Sequence, residues 1–83
     1  MSAYEVVASI PGTFYRRPDP ASEPFVEEGA HVSASDMIGL IEVMKTFHNV
    51  TAGTAGVVSR FVVADEEAVD VDQVLVVLEV DEP

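Results

Sequence analysis

The sequence predicts an all-β protein, a flattened barrel or sandwich of two antiparallel sheets with quasi-twofold symmetry. Three observations predict this fold. β-Branched residues come in short runs separated by small and acidic residues, and helical spacing is scarce. A stretch of the first half of the chain resembles a stretch of the second half. A proline-rich segment interrupts the first half alone.

The apolar runs predict seven strands. In chain order these are Glu5–Ser9, Thr13–Tyr15, Phe25–Val26, Met37–Val43, Phe47–Thr51, Gly56–Val63 and Val74–Glu79. His31 is expected in a turn and His48 in a strand. The acidic segments Asp65–Glu67 and Asp70–Asp72 are expected to form solvated turn and strand faces.

The internal resemblance consists of two aligned blocks. Val32–Val43 aligns with Val69–Val80 at an offset of 37 residues, from 32 to 69. Ala8–Phe14 aligns with Ala52–Val58 at an offset of 44 residues, from 8 to 52. The difference between the offsets gives the first half seven extra residues between its blocks. We expect each half to contribute strands to both sheets, so that neither half could bury its apolar face alone.

The extra residues fall in the segment Arg17–Pro24. Its three prolines remove backbone donors and fix φ, so no ladder strand can pass through it. The segment is therefore expected to be a stiff, protruding loop, with the insert at about residues 17–24.

Lys45 is the only lysine of the 83-residue chain. It follows the predicted strand Met37–Val43, and the turn through Met44 and Lys45 places it at a hairpin tip, expected on the side where the termini emerge. Enzymes that use lysine as a nucleophile bury it or place it beside another cation, and neither device is visible here. The position favours a lysine modified by a separate enzyme.

The formal net charge of −11 argues against partners bound through phosphate groups, so neither nucleic acid nor an anionic membrane is expected. The absence of cysteine excludes disulfides and thiolate metal sites, and the two histidines lack metal-ligand spacing. No secretion signal or spanning run is visible. Residues 1–83 are therefore expected to form one cytoplasmic domain without a metal.

Ile41–Lys45 resembles the attachment motif of biotinyl domains, in which the lysine after a methionine receives biotin as an amide from a biotin protein ligase. The similarity, from about Val6 to Glu79, is to the biotin carboxyl carrier protein of acetyl-CoA carboxylase, within the biotin/lipoyl attachment family. Further matching segments are Pro11–Arg16, Phe25–Gly29, Val32 and Gly56–Val58. In that family the proline-containing loop is called the thumb, and the seven-residue surplus corresponds to it.

The resemblance implies a covalent biotin on Lys45. It also implies that Val43 and Met44 shape the tip, while Thr46 and Phe47 support it from the other strand. The residues implied for the thumb, which would contact the biotin ring, are Pro18, Asp19, Pro20, Ala21, Ser22, Glu23 and Pro24. No catalytic residue is implied.

The implied function is that of a non-catalytic carrier. The attached biotin would take a carboxyl group between the biotin carboxylase and carboxyltransferase subunits of an acyl-CoA carboxylase, with acetyl-CoA as the expected acceptor. The chain departs from the family's usual alanine at Val43 and methionine at Thr46. It also departs from the usual glycine near Ser35 and near Glu66, which predicts altered turns there.

Three other functions stay open on the residues alone. A lipoyl-type acyl carrier shares the fold and the hairpin lysine, but such domains generally lack both a thumb and a methionine before the lysine. An unmodified interaction module could pair through an exposed strand edge. An enzyme that forms a Schiff base on Lys45 would need a desolvated amine.

Overall fold

The chain forms eight β-strands in the computed structural model, which describes residues 2–80. They are β1 Ser2–Val7, β2 Gly12–Tyr15, β3 His31–Val32, β4 Met37–Val43, β5 Thr46–Thr51, β6 Gly56–Phe61, β7 Glu67–Val69 and β8 Val74–Val80. Sheet A has the order β1-β8-β6-β3 and sheet B the order β5-β4-β2-β7, with all pairings antiparallel. Within the described part of the chain no helix could cross a membrane. The all-β prediction is confirmed.

Quasi-twofold symmetry relates the two halves of the fold. Strands β1 to β4 correspond in order to β5 to β8, and replacing each strand by its counterpart converts the order of sheet A into that of sheet B. The offset of 37 residues is kept, because β4 and β8 start at Met37 and Val74 and end at Val43 and Val80. Each half contributes two strands to each sheet, so the shared core needs both halves.

A β-bulge occurs at equivalent positions in the two sheets. In sheet B the pairing of β4 with β5 slips between Met37 and Gly39, which leaves Ile38 without a partner. In sheet A the pairing of β8 with β1 slips in the same way at Leu75. A bulge redirects the extra residue of the strand, and here both extra side chains are fully buried in the core.

Gly39 provides space for the ring of Phe14 in the first half of the core. A Cβ at position 39 would lie 2.5 Å from Cε1 of Phe14 and 2.8 Å from the carbonyl oxygen of Tyr15. In the second half the equivalent positions hold Val76 and Val58, both buried. The first half thus fills this part of the core with the large ring of Phe14 beside Gly39. The second half fills the equivalent part with two side chains of medium size, Val58 and Val76.

The longer strands are confirmed. The strand Met37–Val43 is observed with the predicted bounds, and each of the other predicted long strands differs at one or both ends by one to three residues. The strands β3 and β7 were missed because two or three residues carry no readable alternation. The predicted strand Phe25–Val26 is wrong, because the N–H of Phe25 donates to the carbonyl oxygen of Arg16 at 2.9 Å and closes a loop instead.

Two smaller predictions are also wrong. His31 lies in β3 rather than in a turn, whereas His48 lies in β5 as expected. The segment Asp70–Asp72 is part of a turn rather than a strand face, and the N–H of Asp72 donates to the carbonyl oxygen of Ala8 at 2.7 Å.

The turn at Glu66 keeps a left-handed backbone although the residue is not glycine. Glu66 has a φ of 67°, and Gly29, its counterpart at the offset of 37, has a φ of 93°, so both residues adopt a positive φ. Its N–H donates to the carbonyl oxygen of Phe14 at 2.7 Å. The prediction of an altered turn at Glu66 is therefore wrong, whereas Ser35 is not left-handed.

Candidate functional site

The tip of the β4–β5 hairpin is a two-residue turn. Val43 pairs with Thr46, and the two residues between them, Met44 and Lys45, have φ values of 49° and 68°. Positive φ at both central positions is the requirement of a type I′ turn, which glycine and asparagine usually meet. For residues such as Met44 and Lys45 a left-handed backbone costs roughly 1–2 kcal/mol per residue. The pairing of the flanking strands must therefore hold the turn in this conformation.

The tip presents its central residues to solvent and anchors itself by its first strand residue. Met44 is 92% exposed, and Lys45 and Thr46 are also exposed. Val43 is half-buried and packs against the core. Within residues 2–80 Lys45 forms no ion pair, so the amine is accessible to an enzyme that modifies it.

The hairpin tip lies at the end of the fold opposite to the described chain ends. β5 leads away from Lys45 over roughly 17 Å. The link that follows reaches β1 and β8, since a Cβ on Gly53 would lie 3.2 Å from the Tyr4 hydroxyl and one on Gly56 3.1 Å from a methyl of Val80. The prediction that the tip shares a side with the termini is wrong, because the twofold relation exchanges the two ends.

The thumb, residues 17–24, lies outside both sheets and is braced by its own side chains. The carboxylate of Asp19 accepts hydrogen bonds from the N–H of Ala21 at 2.9 Å and from the hydroxyl of Ser22 at 2.8 Å. The guanidinium of Arg17 donates to the carbonyl oxygen of Ser22 at 3.3 Å. Together with the prolines, these contacts restrict the conformations that the loop can adopt.

The base of the thumb is attached to the β6–β7 turn through Asp65. The N–H of Arg16 donates to Asp65 Oδ1 at 2.7 Å, and Arg17 Nε lies 3.5 Å from Asp65 Oδ2, an ion pair without hydrogen-bond geometry. The guanidinium of Arg16 lies 3.8 Å from the centroid of the Phe61 ring, within cation–π range. Sequence reasoning missed this role of Asp65, because a contact across 49 residues leaves no local signal.

An open cleft of about 270 Å³ lies between the thumb and sheet B, beside the hairpin. The thumb contributes Arg17, Pro18, Asp19 and Pro20. The opposite side consists of strand and turn residues, namely Tyr15, Glu42, Phe47, Asp65 and Glu66. Because Glu42 and Phe47 are paired across the hairpin one step below the tip, the cleft is adjacent to the turn that carries Lys45.

Tyr15 is held in the cleft by a hydrogen bond. Its hydroxyl donates to Glu42 Oε1 at 3.1 Å, and its ring lies 6.5 Å from that of Phe47. The hydrogen bond to Glu42 raises the pKa of Tyr15, since the neutral phenol donates to the carboxylate. Desolvation and the charges of Glu42, Glu66 and Asp65 raise the pKa further.

An exposed lysine on a two-residue turn of a two-sheet, twofold-symmetric β domain is an arrangement that suits a domain carrying a covalently attached group. The family model described as "Biotin-requiring enzyme" (Biotin_lipoyl) matches residues 4–78. The chain belongs to this biotin/lipoyl family, so the family prediction is confirmed.

Its relatives include biotin carboxyl carrier proteins of acetyl-CoA carboxylase. The protein from Haemophilus influenzae is 38% identical over 79 residues, which cover 95% of this chain and 51% of that protein. The one from Pseudomonas aeruginosa is 36% identical over 77% of this chain and 41% of its own length. A chloroplastic one from Arabidopsis thaliana is 36% identical over 81% of this chain and 26% of its own length. The chain thus spans about half or less of these relatives.

Solved structures share the fold. The urea carboxylase of Kluyveromyces lactis aligns with a TM-score of 0.78 and 24% identity, over 95% of this chain and 6% of that one. A single-chain, multi-domain long-chain acyl-CoA carboxylase aligns with a TM-score of 0.77 and 22% identity, over 96% of this chain and 7% of that one. The expected cofactor, covalently attached biotin, is the one that the family and the relatives indicate.

Proposed function

We propose that this chain is the biotinyl domain of a biotin carboxyl carrier and that Lys45 carries the biotin. The observation that supports this most is the position of the only lysine, exposed at the centre of a two-residue turn that ends a paired hairpin. Biotin carboxyl carrier proteins among the relatives give the cofactor.

Attachment is an amide-forming reaction at Lys45 Nζ. A biotin protein ligase activates the biotin carboxylate with ATP; the new bond joins Nζ to the carboxyl carbon as the activating group leaves, and the ammonium gives up two protons. The formal charge of the chain then falls from −11 to −12, because one positive charge is lost. With no second lysine in the chain, no other side-chain ammonium competes for the ligase.

The attached biotin supplies a carboxyl acceptor and donor. This chain presents the attached biotin to the active sites. The turn fixes the position of the biotinylated lysine side chain, the arm, so that the tethered biotin reaches each active site at high effective concentration. In this proposal Val43 anchors the tip, while Met44 and Thr46 form the surface that the ligase and the carboxylase sites meet. The thumb limits where the arm swings.

The wider setting is part of the same proposal. The partners are a biotin carboxylase and a carboxyltransferase of an acyl-CoA carboxylase, with acetyl-CoA as the acceptor, in the cytoplasm. The chain acts there as a single non-catalytic carrier domain. The lipoyl-carrier alternative is not favoured, because Met44 and the thumb lie beside Lys45 and the relatives are biotin carriers.

The carrier role is tested by carboxyl loading. Biotin-loaded chain is incubated with a biotin carboxylase subunit, ATP and labelled bicarbonate, and protein-bound label is counted beside a Lys45→Arg control. The proposal expects label on the loaded chain and none on the variant. It also expects the carboxylase to use the loaded chain with a kcat/KM well above its kcat/KM for free biotin. A loaded chain that is no better than free biotin would contradict the carrier role.

A further inference from the structure

The thumb is closed at its base by one backbone hydrogen bond. The N–H of Phe25, directly after the thumb, donates to the carbonyl oxygen of Arg16, directly before it, at 2.9 Å. The hydrogen bonds around Asp19 and Ser22 lie within the loop. These contacts shape residues 17–24, but none of them sets where the loop lies on the domain. Its position depends on the contacts that its base makes with other parts of the fold.

Asp65 makes the polar contacts between the base of the thumb and the rest of the domain. One carboxylate oxygen accepts the N–H of Arg16 at 2.7 Å, and the other lies 3.5 Å from Arg17 Nε. In the described part of the chain, no other side chain outside the loop forms a hydrogen bond or an ion pair with residues 16–25. The short hydrogen bond to a charged acceptor is the stronger of the two contacts, since the ion pair is partly exposed.

Glu28 is the counterpart of Asp65 in the other half of the fold, at the offset of 37 residues. Its carboxylate accepts a hydrogen bond from the N–H of Phe61 at 3.1 Å. Phe61 is the last residue of β6, and Arg16 directly follows β2, the strand that corresponds to β6. Each half thus has a carboxylate bonded to the backbone at the end of an equivalent strand. Only the carboxylate of Asp65 also holds a loop.

The loop that Asp65 holds lies beside the arm. Its residues Arg17, Pro18, Asp19 and Pro20 form one wall of the cleft. The opposite wall includes Glu42 and Phe47, which are paired one step below the turn that carries Lys45. A group attached to Lys45 Nζ extends past the thumb wherever it turns towards sheet B. The position of the thumb therefore limits the directions that the arm can take.

We infer that Asp65 is a positioning residue for the biotin arm, and that it acts through the thumb. Its carboxylate fixes the base of the thumb on the β6–β7 turn, and the fixed thumb confines the group attached to Lys45. The inference rests on the proposed function in one respect, because the confined group is the biotin on Lys45. Its first step, the attachment of the thumb by Asp65, does not depend on biotin.

The first step is tested on the 83-residue chain without biotin by ¹⁵N relaxation of the thumb amides. In Asp65→Ala the order parameters of residues 19–23 that carry an N–H are expected to fall towards the flexible range below about 0.6, while the wild type stays near about 0.85. Glu28→Ala is the matched control, because it removes one carboxylate and the equivalent hydrogen bond. Equal losses of order in the two variants, or no loss in Asp65→Ala, would overturn the inference.

Asp65→Asn keeps the inference testable if Asp65→Ala does not fold. The amide oxygen still accepts the N–H of Arg16, but the charge that faces Arg17 is lost. A smaller loss of order in the thumb is expected than with alanine. Order parameters equal to those of the wild type at low salt, where the ion pair is least screened, would contradict a role for the charge.

The second step is tested on chain loaded with ¹⁵N-labelled biotin. The ureido N–H signals of the wild type are expected to differ from those of free biocytin, and in Asp65→Ala they are expected to move towards the biocytin positions. Glu28→Ala is expected to leave them in place. Wild-type signals that coincide with biocytin, or signals that stay in place although the thumb has loosened, would overturn the positioning role and leave the carrier role intact. A chain that accepts no biotin would instead contradict the proposed function, while the relaxation data still decide whether Asp65 attaches the thumb.

Discussion

The β4–β5 hairpin and the β8–β1 pair are the same piece of structure used in two ways. The pairing of Val43 with Thr46 at one end of the fold corresponds to that of Val80 with Ser2 at the other. The first pair is closed by Met44 and Lys45, whereas the second joins distant parts of the chain. The pairing of these strand ends therefore does not depend on a connecting turn, and the turn that carries Lys45 is a feature of one half of the frame alone.

The thumb supports the same conclusion. The β2–β3 link contains the thumb, while its counterpart, the β6–β7 link, is a short turn that ends at Glu66. That short turn supplies Asp65, to which the base of the thumb is attached. The second half thus serves as a support, and the first half presents both the lysine and one wall of the cleft.

The largest expected effect tests whether the two bulges are equivalent. Ile38→Ala and Leu75→Ala each empty a fully buried site. Each is expected to lower the free energy of unfolding by about 2–5 kcal/mol, the usual range for such truncations. Urea denaturation measures both. Local relaxation alone makes the losses of similar sites differ by about 2 kcal/mol. A larger difference between the two variants would contradict the equivalence of the two bulges.

The second effect tests the different filling of the two half-cores. Gly39→Val copies the second half but places its side chain against the Phe14 ring, so it is expected to destabilise by about 1–3 kcal/mol. Phe14→Val also destabilises, since it leaves a cavity. The double variant reproduces the Val76 and Val58 pair, and denaturation should give a smaller loss than the sum of the single losses. If the loss of the double variant equals the sum of the single losses, the idea that the valine introduced by Gly39→Val fills the space left by Phe14 would be contradicted.

A smaller effect compares two left-handed turns. Gly29 meets its positive φ without strain, whereas Glu66 adopts a φ of 67° as a non-glycine residue. Glu66→Gly is expected to raise the free energy of unfolding by about 0.5–1 kcal/mol, because the strain of a side chain at positive φ is removed. Thermal unfolding at matched salt measures it, with Glu67→Gly in β7 as a control that should destabilise. A lower melting temperature for Glu66→Gly would contradict the strain.

The smallest effect concerns Tyr15, whose pKa is raised above its ordinary value of 10. The neutral phenol is favoured in the folded state, so its contribution to stability is present below pH 10 and is lost as the pH rises through the folded pKa. In a Tyr4→Phe variant the single remaining tyrosine should ionise above pH 10 by ultraviolet titration. Glu42→Gln should lower that value. A titration unchanged by Glu42→Gln would contradict the hydrogen bond.

The features that could be predicted from the sequence are those that repeat between the two halves and those formed by contiguous residues. Seven-residue strands such as Met37–Val43 are apolar runs long enough to be read, and the offsets of the repeat predicted the twofold frame and the extra loop. β3 and β7 have too few residues for a pattern. The turn at Met44 and Lys45 could be placed from the sequence because its residues are contiguous in the chain.

The cleft could not be predicted from the sequence. Tyr15, Phe47 and Asp65 come from separate segments, and their meeting depends on the register of sheet B and on the path of the thumb. The strand assigned to Phe25–Val26 failed for the same reason, since its backbone bonds close the thumb. The opposite positions of the tip and the chain ends follow from the direction of the twofold axis, which self-comparison does not give.

The intact mass of the chain after co-expression with a biotin protein ligase and excess biotin tests the central claim most directly. The account predicts one biotin increment on the wild type, none on Lys45→Arg, and none on the double variant Met44→Lys with Lys45→Arg, because the proposed motif has its lysine at the second position of the turn, after Met44. No increment on the wild type, or an increment retained by Lys45→Arg, would contradict the assignment of Lys45 as the attachment site.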